Sequence, residues 1–330
     1  MRYFYSSFVI MTIGVIAAFY LGGFTAIYIT FLLIILEVSL SFDNAVVNAK
    51  VLETMDPIWQ KRFIFFGMPI AVFGMRLIFP LAIVAIVTGM GMIETLNVAM
   101  DDPKRYEGIL KSTEGTIFAF GGAFLLMVFL DFFFEERDVK WMKFVEGSRI
   151  IRSASAISNI ELITAIIVGI ALGHITQDFG IVIAFMYGVL LHSLLGMLDH
   201  FLSADTVKSG IAGFIYLEVL DASFSFDGVI GAFALTSNIF IIMIGLGVGA
   251  MFVRSLTLFF VEHKTLSEYR YLEHGAHYAI GILAFIMLLK ITTHVSEMVT
   301  GTIGIGLIAI AFAHSLWENK QLNKLESNQE

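Results

Sequence analysis

The sequence predicts an all-α polytopic membrane protein of about ten transmembrane helices, arranged as inverted-topology repeats of three helices. Three observations lead there: an apolar excess, a series of stretches long enough to cross a bilayer, and a short acidic motif that occurs twice. Of the 330 residues, 58% are apolar and 15% charged, and the mean hydropathy is +0.87. Soluble domains average about 45–50% apolar. With 32 Phe and 16 Met, a water-soluble fold would leave too much apolar surface in contact with water. There is no Cys, which excludes disulfides, thiol catalysis and thiolate metal sites. The net charge of −8 is spread over loops and tail, without the basic stripe that nucleic acid would require.

A helix needs roughly 20 apolar residues to cross the hydrocarbon core. The N-terminal run MRYFYSSFVIMTIGVIAAFYLGG carries one Arg and no A-x-A-like cleavage site, so it reads as a first span and not as a signal peptide. The qualifying stretches are 4–22, 25–49, 62–90, 115–134, 159–176, 180–200, 210–235, 239–261, 275–291 and 298–316. The shortest connections fall at Gly22-Gly23 and Ser237-Asn238. Residues 1–134 form a first half, with a core repeat near 25–134; residues 159–316 form a second, with a core repeat near 210–291. Between them lies a charged loop, 135–158, with Arg137, Lys140, Lys143, Arg149 and Arg152; a polar tail, 317–330, ends the chain. Trp141 and Phe144 in that loop fit an interfacial segment, and its charges fit a solvated one equally well.

With the N-terminus in the cytoplasm, positive charge separates by side. Arg2, Lys50, Lys61, Arg62, the five basic residues of the long loop, Lys208, Lys264, Arg270, Lys320 and Lys324 fall inside. Outside are Lys104, Arg105, Lys111 and Lys290, the first three diluted by Asp101, Asp102 and Glu107. This is the positive-inside pattern with both termini cytoplasmic, as in a multi-pass protein of a bacterial inner membrane.

Internal repeats decide architecture early. LEVSLSFDNAV (36–46) lies over LDASFSFDGVI (220–230), so that Glu37 and Asp43 coincide with Asp221 and Asp227. The following helix of each copy matches as well, GMPIAVFGMR (67–76) over GLGVGAMFVR (245–254), pairing Gly67 with Gly245 and Arg76 with Arg254. The third continues the register, GTIFAFG (115–121) over GAHYAIG (275–281). Span 2 matches span 7, an odd offset that inverts the second copy, as in many secondary transporters with a midplane site between halves.

A charge at the bilayer centre costs roughly 2.5–3.5 kcal/mol on an insertion scale, so buried ions there must pair, line water or bind a cation. Glu37, Asp43, Asp221, Asp227, Arg76 and Arg254 lie inside spans, with Glu218 near the start of span 7. The plain structural alternative is that each arginine neutralises one acid and pins helices together. The arginines are outnumbered by the carboxylates, and the surplus calls for a cation or protons. At about 100° per residue, Glu37, Ser41, Asn44 and Asn48 share one stripe, and Ser39, Asp43 and Lys50 another. In span 7, Glu218, Asp221, Ser225 and Gly228 share a stripe, and Ser223 and Asp227 the other. A helix polar on two faces is central in a bundle or locally unwound. Carboxylate, amide and hydroxyl ligands suit hard divalent ions such as Mn²⁺, Mg²⁺ or Ca²⁺. The candidate metal ligands are therefore Asp43, Asp227, Glu37, Asp221 and Asn44, supported by Ser41, Ser225, Glu218, Arg76, Arg254 and Asn48. Met68, Met75 and Met251 read as packing. His192, Asp199 and His200 share one face of span 6, as a polar patch or a second site; His174, His277, His294 and His314 are scattered. The glycines at 245, 247, 249, 301, 304 and 306 read as close-packing surfaces.

These paired motifs resemble the TerC family of integral membrane proteins, and within that superfamily a longer branch catalogued as a domain of unknown function. The resemblance runs from about residue 25 to 290. It implies small exporters built from inverted three-helix repeats, tellurite resistance, and metal homeostasis, chiefly manganese efflux. It places the acidic motif positions on Glu37, Asp43, Asn44, Asp221 and Asp227. This chain departs from the pattern at Gly228, opposite Asn44, and in a longer 3–4 loop and extra helices.

The expectation is thus a non-enzymatic exporter of a divalent cation, Mn²⁺ foremost, with no resident cofactor, the bilayer as its solvent and a homo-oligomer or membrane-stress proteins as further partners. An intramembrane aspartyl protease would also need two Asp on different helices. The Gly-x-Gly-Asp motif of that class is missing, with Ser-Phe before Asp227. A non-transporting membrane partner, docking through 135–158 or 317–330, leaves the duplicated acids without a role.

Overall fold

The structure, a computed structural model, describes residues 2–135, 137, 139–202, 210–233, 235–236, 238–263, 269–293, 295 and 297–326. Among these residues the chain is predominantly helical, with no strand. In chain order the helices are α1 (Tyr5–Leu40), α2 (Phe42–Thr54), α3 (Pro57–Pro69), a π-helical stretch (Ile70–Ile78), α4 (Phe79–Thr88), α5 (Met92–Asp101), α6 (Pro103–Phe134), α7 (Lys143–Glu146), α8 (Arg149–Ser155), α9 (Ile160–Thr176), α10 (Phe179–Leu202), α11 (Gly210–Phe233), α12 (Ile239–Glu262), α13 (Leu272–Lys290) and α14 (Glu297–Glu326).

Five of these, Tyr5–Leu40, Pro103–Phe134, Phe179–Met197, Ile239–Glu262 and Leu272–Lys290, are long and apolar enough to cross a membrane. A sixth arises if Pro57–Gly67 and Ile70–Ile86, bent by 45°, form one span. The surface agrees: Phe8, Ile13, Ile16, Phe24, Ile86, Ile163, Ile167 and Ile170 are exposed, an apolar exterior suited to lipid and not to water.

α1 is two helices in one. It breaks at Gly22 (φ −166°, ψ 23°) and Gly23 (φ 66°, ψ −150°), the second a conformation that glycine alone adopts at little cost. The two arms run in opposite directions along α12. Ser7 reaches Met251 and Ser255, Gly14 meets Ile244 and Val248, and Gly22 meets Ile241; past the break, Leu33 meets Gly245 and Glu37 meets Gly249. The contact points descend α12 and then climb it, so the chain reverses at the pair of glycines that separates the first two predicted spans.

Other boundaries moved for local reasons. α3 starts at Pro57 and not at 62, because the Asp56 carboxylate accepts from the Ile58 N–H at 2.8 Å and Pro57 opens the helix. α6 starts at Pro103 and not at 115, with Asp102 accepting from the Arg105 N–H at 3.2 Å. Both are acid-Pro caps, with a side chain replacing the missing backbone partner. Asn238 caps α12 by accepting from the N–H groups of Phe240 and Ile241. α14 runs through to Glu326, so the start of the polar tail is a continuation of helix.

The core is centred on α6, where Phe118, Phe124 and Leu125 are fully buried and pack with Leu220 of α11, Leu246 of α12 and Ile280 of α13. The long loop is not free. Trp141 donates through Nε1 to His314 Nδ1 at 3.0 Å, Tyr278 donates to Glu146 at 3.0 Å, and His274 Nε2 lies 3.1 Å from the Val139 carbonyl. Residues 139–146 therefore strap across the start of α13 and the middle of α14, while Phe144 is 94% exposed. Trp141, read from the sequence as interfacial, is engaged inside the fold, while Phe144 stays on the surface.

Candidate functional site

The first acidic motif straddles a helix break. α1 ends at Leu40, Ser41 has φ −107° and ψ 16°, and α2 begins at Phe42. A helix carrying polar groups on two faces is thus interrupted inside the motif, as its pattern predicts. Glu37, Ser41, Asn44 and Asn48, the predicted stripe, are all buried, at 5% exposure or less. Ser41 donates to Glu37 Oε1 at 3.0 Å.

Arg76 comes from the π-helical stretch. Pro69 at its start has no N–H to continue the α-helical ladder, and the stretch closes with Phe79 N–H bonding to the Gly74 carbonyl. Such wide turns are frequent at functional sites. The Arg76 side chain folds back to donate from Nη1 to the Ala71 carbonyl at 2.8 Å. It then spans the two sequence copies: Nη2 meets Glu37 Oε1 at 2.5 Å and Nη1 meets Asp221 Oδ2 at 3.1 Å. Asn44 donates from Nδ2 to Asp221 Oδ1 at 2.8 Å. Glu37, Asn44, Arg76 and Asp221 are therefore one hydrogen-bonded unit drawn from α1, α2, the π-helical stretch and α11.

Two glycines house Glu37. A Cβ on Gly249 would stand 2.5 Å from Glu37 Cβ, and one on Gly228 would stand 3.2 Å from Glu37 Oε2. Gly228 is where the second motif departs from Asn44 of the first. A side chain there would require the Glu37 carboxylate to shift by a few tenths of an ångström. Gly245 and Gly247 also pack closely, against Leu33 and Val72, whereas Gly306 meets nothing within 4 Å.

Arg254 is placed differently. It is buried, with its guanidinium 4.3 Å from the centre of the Phe63 ring. Its Nη2 and Nη1 lie only 2.6 and 2.7 Å from where a Cβ on Gly67 would stand, and Glu218 Oε1 lies 3.0 Å from the same point. Nε and Nη2 of Arg254, Oε1 of Glu218 and Oδ1 of Asn48 are buried without a hydrogen-bond partner. A cavity of about 20 Å³ is lined by Asn48, Phe63, Gly67, Arg76, Glu218, Asp221 and Arg254, among others. About 10–15 Å³ is enough for one water.

Of the remaining candidates, Ser225 is buried with its hydroxyl unpartnered, and Ser223 bonds the Val219 carbonyl of its own helix. The side chains of Asp43 and Asp227 lie outside the described residues, as do those of Met68, Asp199 and His200. Among the described residues no three His, Asp or Glu side chains are grouped to hold a metal ion. Met251 is buried in packing. His192 is buried and faces Asp131 of α6, Nε2 to Oδ2 at 3.4 Å, a partner its own helix does not reveal.

A second polar assembly was not legible in the sequence. Glu273 takes Lys50 at 2.9 Å and Arg137 at 2.9 Å, and Arg137 also pairs with Glu135. Lys50 lies in α2, Glu273 in the first turn of α13, and Glu135 and Arg137 just past the end of α6. They border a cavity of about 720 Å³ that also includes Asp131, Glu161, Tyr216 and His277. They lie on segments far apart in the chain, and only tertiary contact unites them.

No curated protein and no solved structure matches the chain. A family model described as "Protein of unknown function (DUF475)" matches residues 42–322, most of the chain and both acidic segments from Phe42 onward, and the chain belongs to that family.

Proposed function

We propose that the protein is a membrane transporter that exports a divalent metal cation, Mn²⁺ foremost, through a midplane acidic site between inverted repeats. The observation that carries this reading is the charge imbalance at one buried place. Glu37, Asp221 and Glu218 lie together; Arg76 bonds the first two, and Arg254 stands by the third without a hydrogen bond. Asp43 and Asp227 add two more carboxylates to the same motifs. Burying such a surplus is costly unless a cation or protons balance it. In this reading Asp43 and Asp227 hold the ion, Asn44, Glu37 and Asp221 complete the shell or carry counter-transported protons, and Arg76 braces the acids. Rocking of one repeat against the other alternates access.

The resemblance to the TerC family supports the same reading, as do oxygen ligands suited to hard ions. The proposed frame has ten spans, both termini in the cytoplasm and a bacterial inner membrane around it. The substrate ion is cargo, and the protein has no enzymatic role. The test is Asp43→Asn and Asp227→Asn in cells lacking manganese efflux. Each variant should lose protection against manganese and let its cellular level rise. If both variants still protect, the assignment is wrong.

A further inference from the structure

Arg76 and Arg254 occupy matched positions in the two copies, yet only one of them is committed. Arg76 donates to Ala71, Glu37 and Asp221 at once. Arg254 rests on a ring and on a glycine, with two of its nitrogens unpartnered. The Oε1 of Glu218 is unpartnered beside it, and the two flank the same small cavity. A buried guanidinium and a buried carboxylate that adjoin without bonding are both left short of hydrogen bonds. A modest rotation of the long arginine side chain joins them. A cation placed at Glu218 and Asp221 drives them apart again, since like charges repel strongly at low dielectric.

We infer that Arg254 is an exchangeable counter-ion of the acidic site. It bonds Glu218 when no cation is bound and withdraws to Phe63 and Gly67 when one arrives. The inference rests on the cation-transport reading and adds which arginine moves and where it withdraws. Gly67 is the structural requirement for the withdrawn position, because any Cβ there meets the guanidinium nitrogens well inside contact distance. Arg76 has no such freedom.

The experiment measures Mn²⁺ binding to purified full-length protein, by titration with the metal followed by electron paramagnetic resonance, for the wild type, Arg254→Gln, Arg254→Lys and Gly67→Ala. Arg254→Gln removes the competing charge and should bind Mn²⁺ about tenfold or more tightly. Its transport in liposomes should fall by about tenfold or more, because nothing replaces the departing ion. Arg254→Lys keeps the charge and should restore affinity towards the wild type. Gly67→Ala leaves every charge in place but sets a methyl within 3.0 Å of both the Arg254 guanidinium and Glu218 Oε1, which denies Arg254 its withdrawn position, and should weaken Mn²⁺ binding about tenfold. Wild-type binding with unchanged affinity in both Arg254→Gln and Gly67→Ala overturns the exchange and leaves the transport reading standing. A wild type that binds no Mn²⁺, Mg²⁺ or Ca²⁺ overturns both.

Discussion

Two arginines that the sequence sets in register live in different surroundings. Arg76 leaves a π-helical turn and is saturated by two carboxylates and a carbonyl. Arg254 leaves a regular α-helix and faces Phe63 and Gly67, with a carboxylate close by but unbonded. Duplicated sequence therefore does not produce duplicated electrostatics. The difference traces to neighbours: Pro69 and the wide turn aim Arg76 inward, and Gly228 and Gly249 leave room for Glu37 to meet it. A locked charge fits a bracing role, and an unlocked one fits a role in exchange.

The largest expected effect is that of breaking the locked centre. Arg76→Gln leaves Glu37 and Asp221 buried and unpaired, and should cost about 3–5 kcal/mol, read as a loss of the thermal unfolding midpoint in detergent. Adding Glu37→Gln to that variant should recover part of the loss, since it removes one of the stranded charges. Next comes Gly249→Ala, whose methyl group would sit 2.5 Å from Glu37 Cβ. Overpacking of this kind costs about 1–3 kcal/mol, and the same unfolding measurement should show it.

Arg254→Met is the direct counterpart of the first variant. It removes a guanidinium that lies over Phe63 without a hydrogen bond to an acid and leaves Glu218 beside an apolar chain, so by the same unfolding measurement it should cost about 1–3 kcal/mol, less than Arg76→Gln. A drop as large as that of Arg76→Gln would break the comparison between the two arginines. The smallest effect belongs to the polar end. Lys50→Gln removes a pair whose lysine is 42% exposed and should cost under about 1 kcal/mol. The difference from the wild type should shrink further at high salt, where exposed pairs are screened.

Much of the architecture is readable along the chain because lipid selects for local pattern. Helix runs, the reversal at Gly22-Gly23, the cap at Asn238 and the break within the Glu37 to Asp43 motif each depend on residues near in sequence. The early starts of α3 and α6 were readable too, in Asp56-Pro57 and Asp102-Pro103, but apolar windows pass over such caps. The site was legible in its members and not in its pairings. Glu37, Asn44, Arg76 and Asp221 were singled out by residue type and repeat register, while the choice of Arg76 as the shared partner is a contact over 145 residues of chain. The Glu273 hub and the His192–Asp131 pair left no periodic trace, since their members lie on separate segments of the chain that meet only in the fold.

By itself the sequence determined that the chain is helical, apolar outside, and burdened with buried acids in two matching segments. Composition and periodicity are sufficient for that, because a bilayer leaves a backbone few ways to satisfy its own hydrogen bonds. The tertiary structure decided which acid meets which arginine, that position 228 faces Glu37, and that one arginine is bound while its counterpart is left over. Those outcomes depend on close approach between helices distant in sequence, where a Cβ added at Gly67, Gly228 or Gly249 would stand 2.5–3.2 Å from a charged side chain.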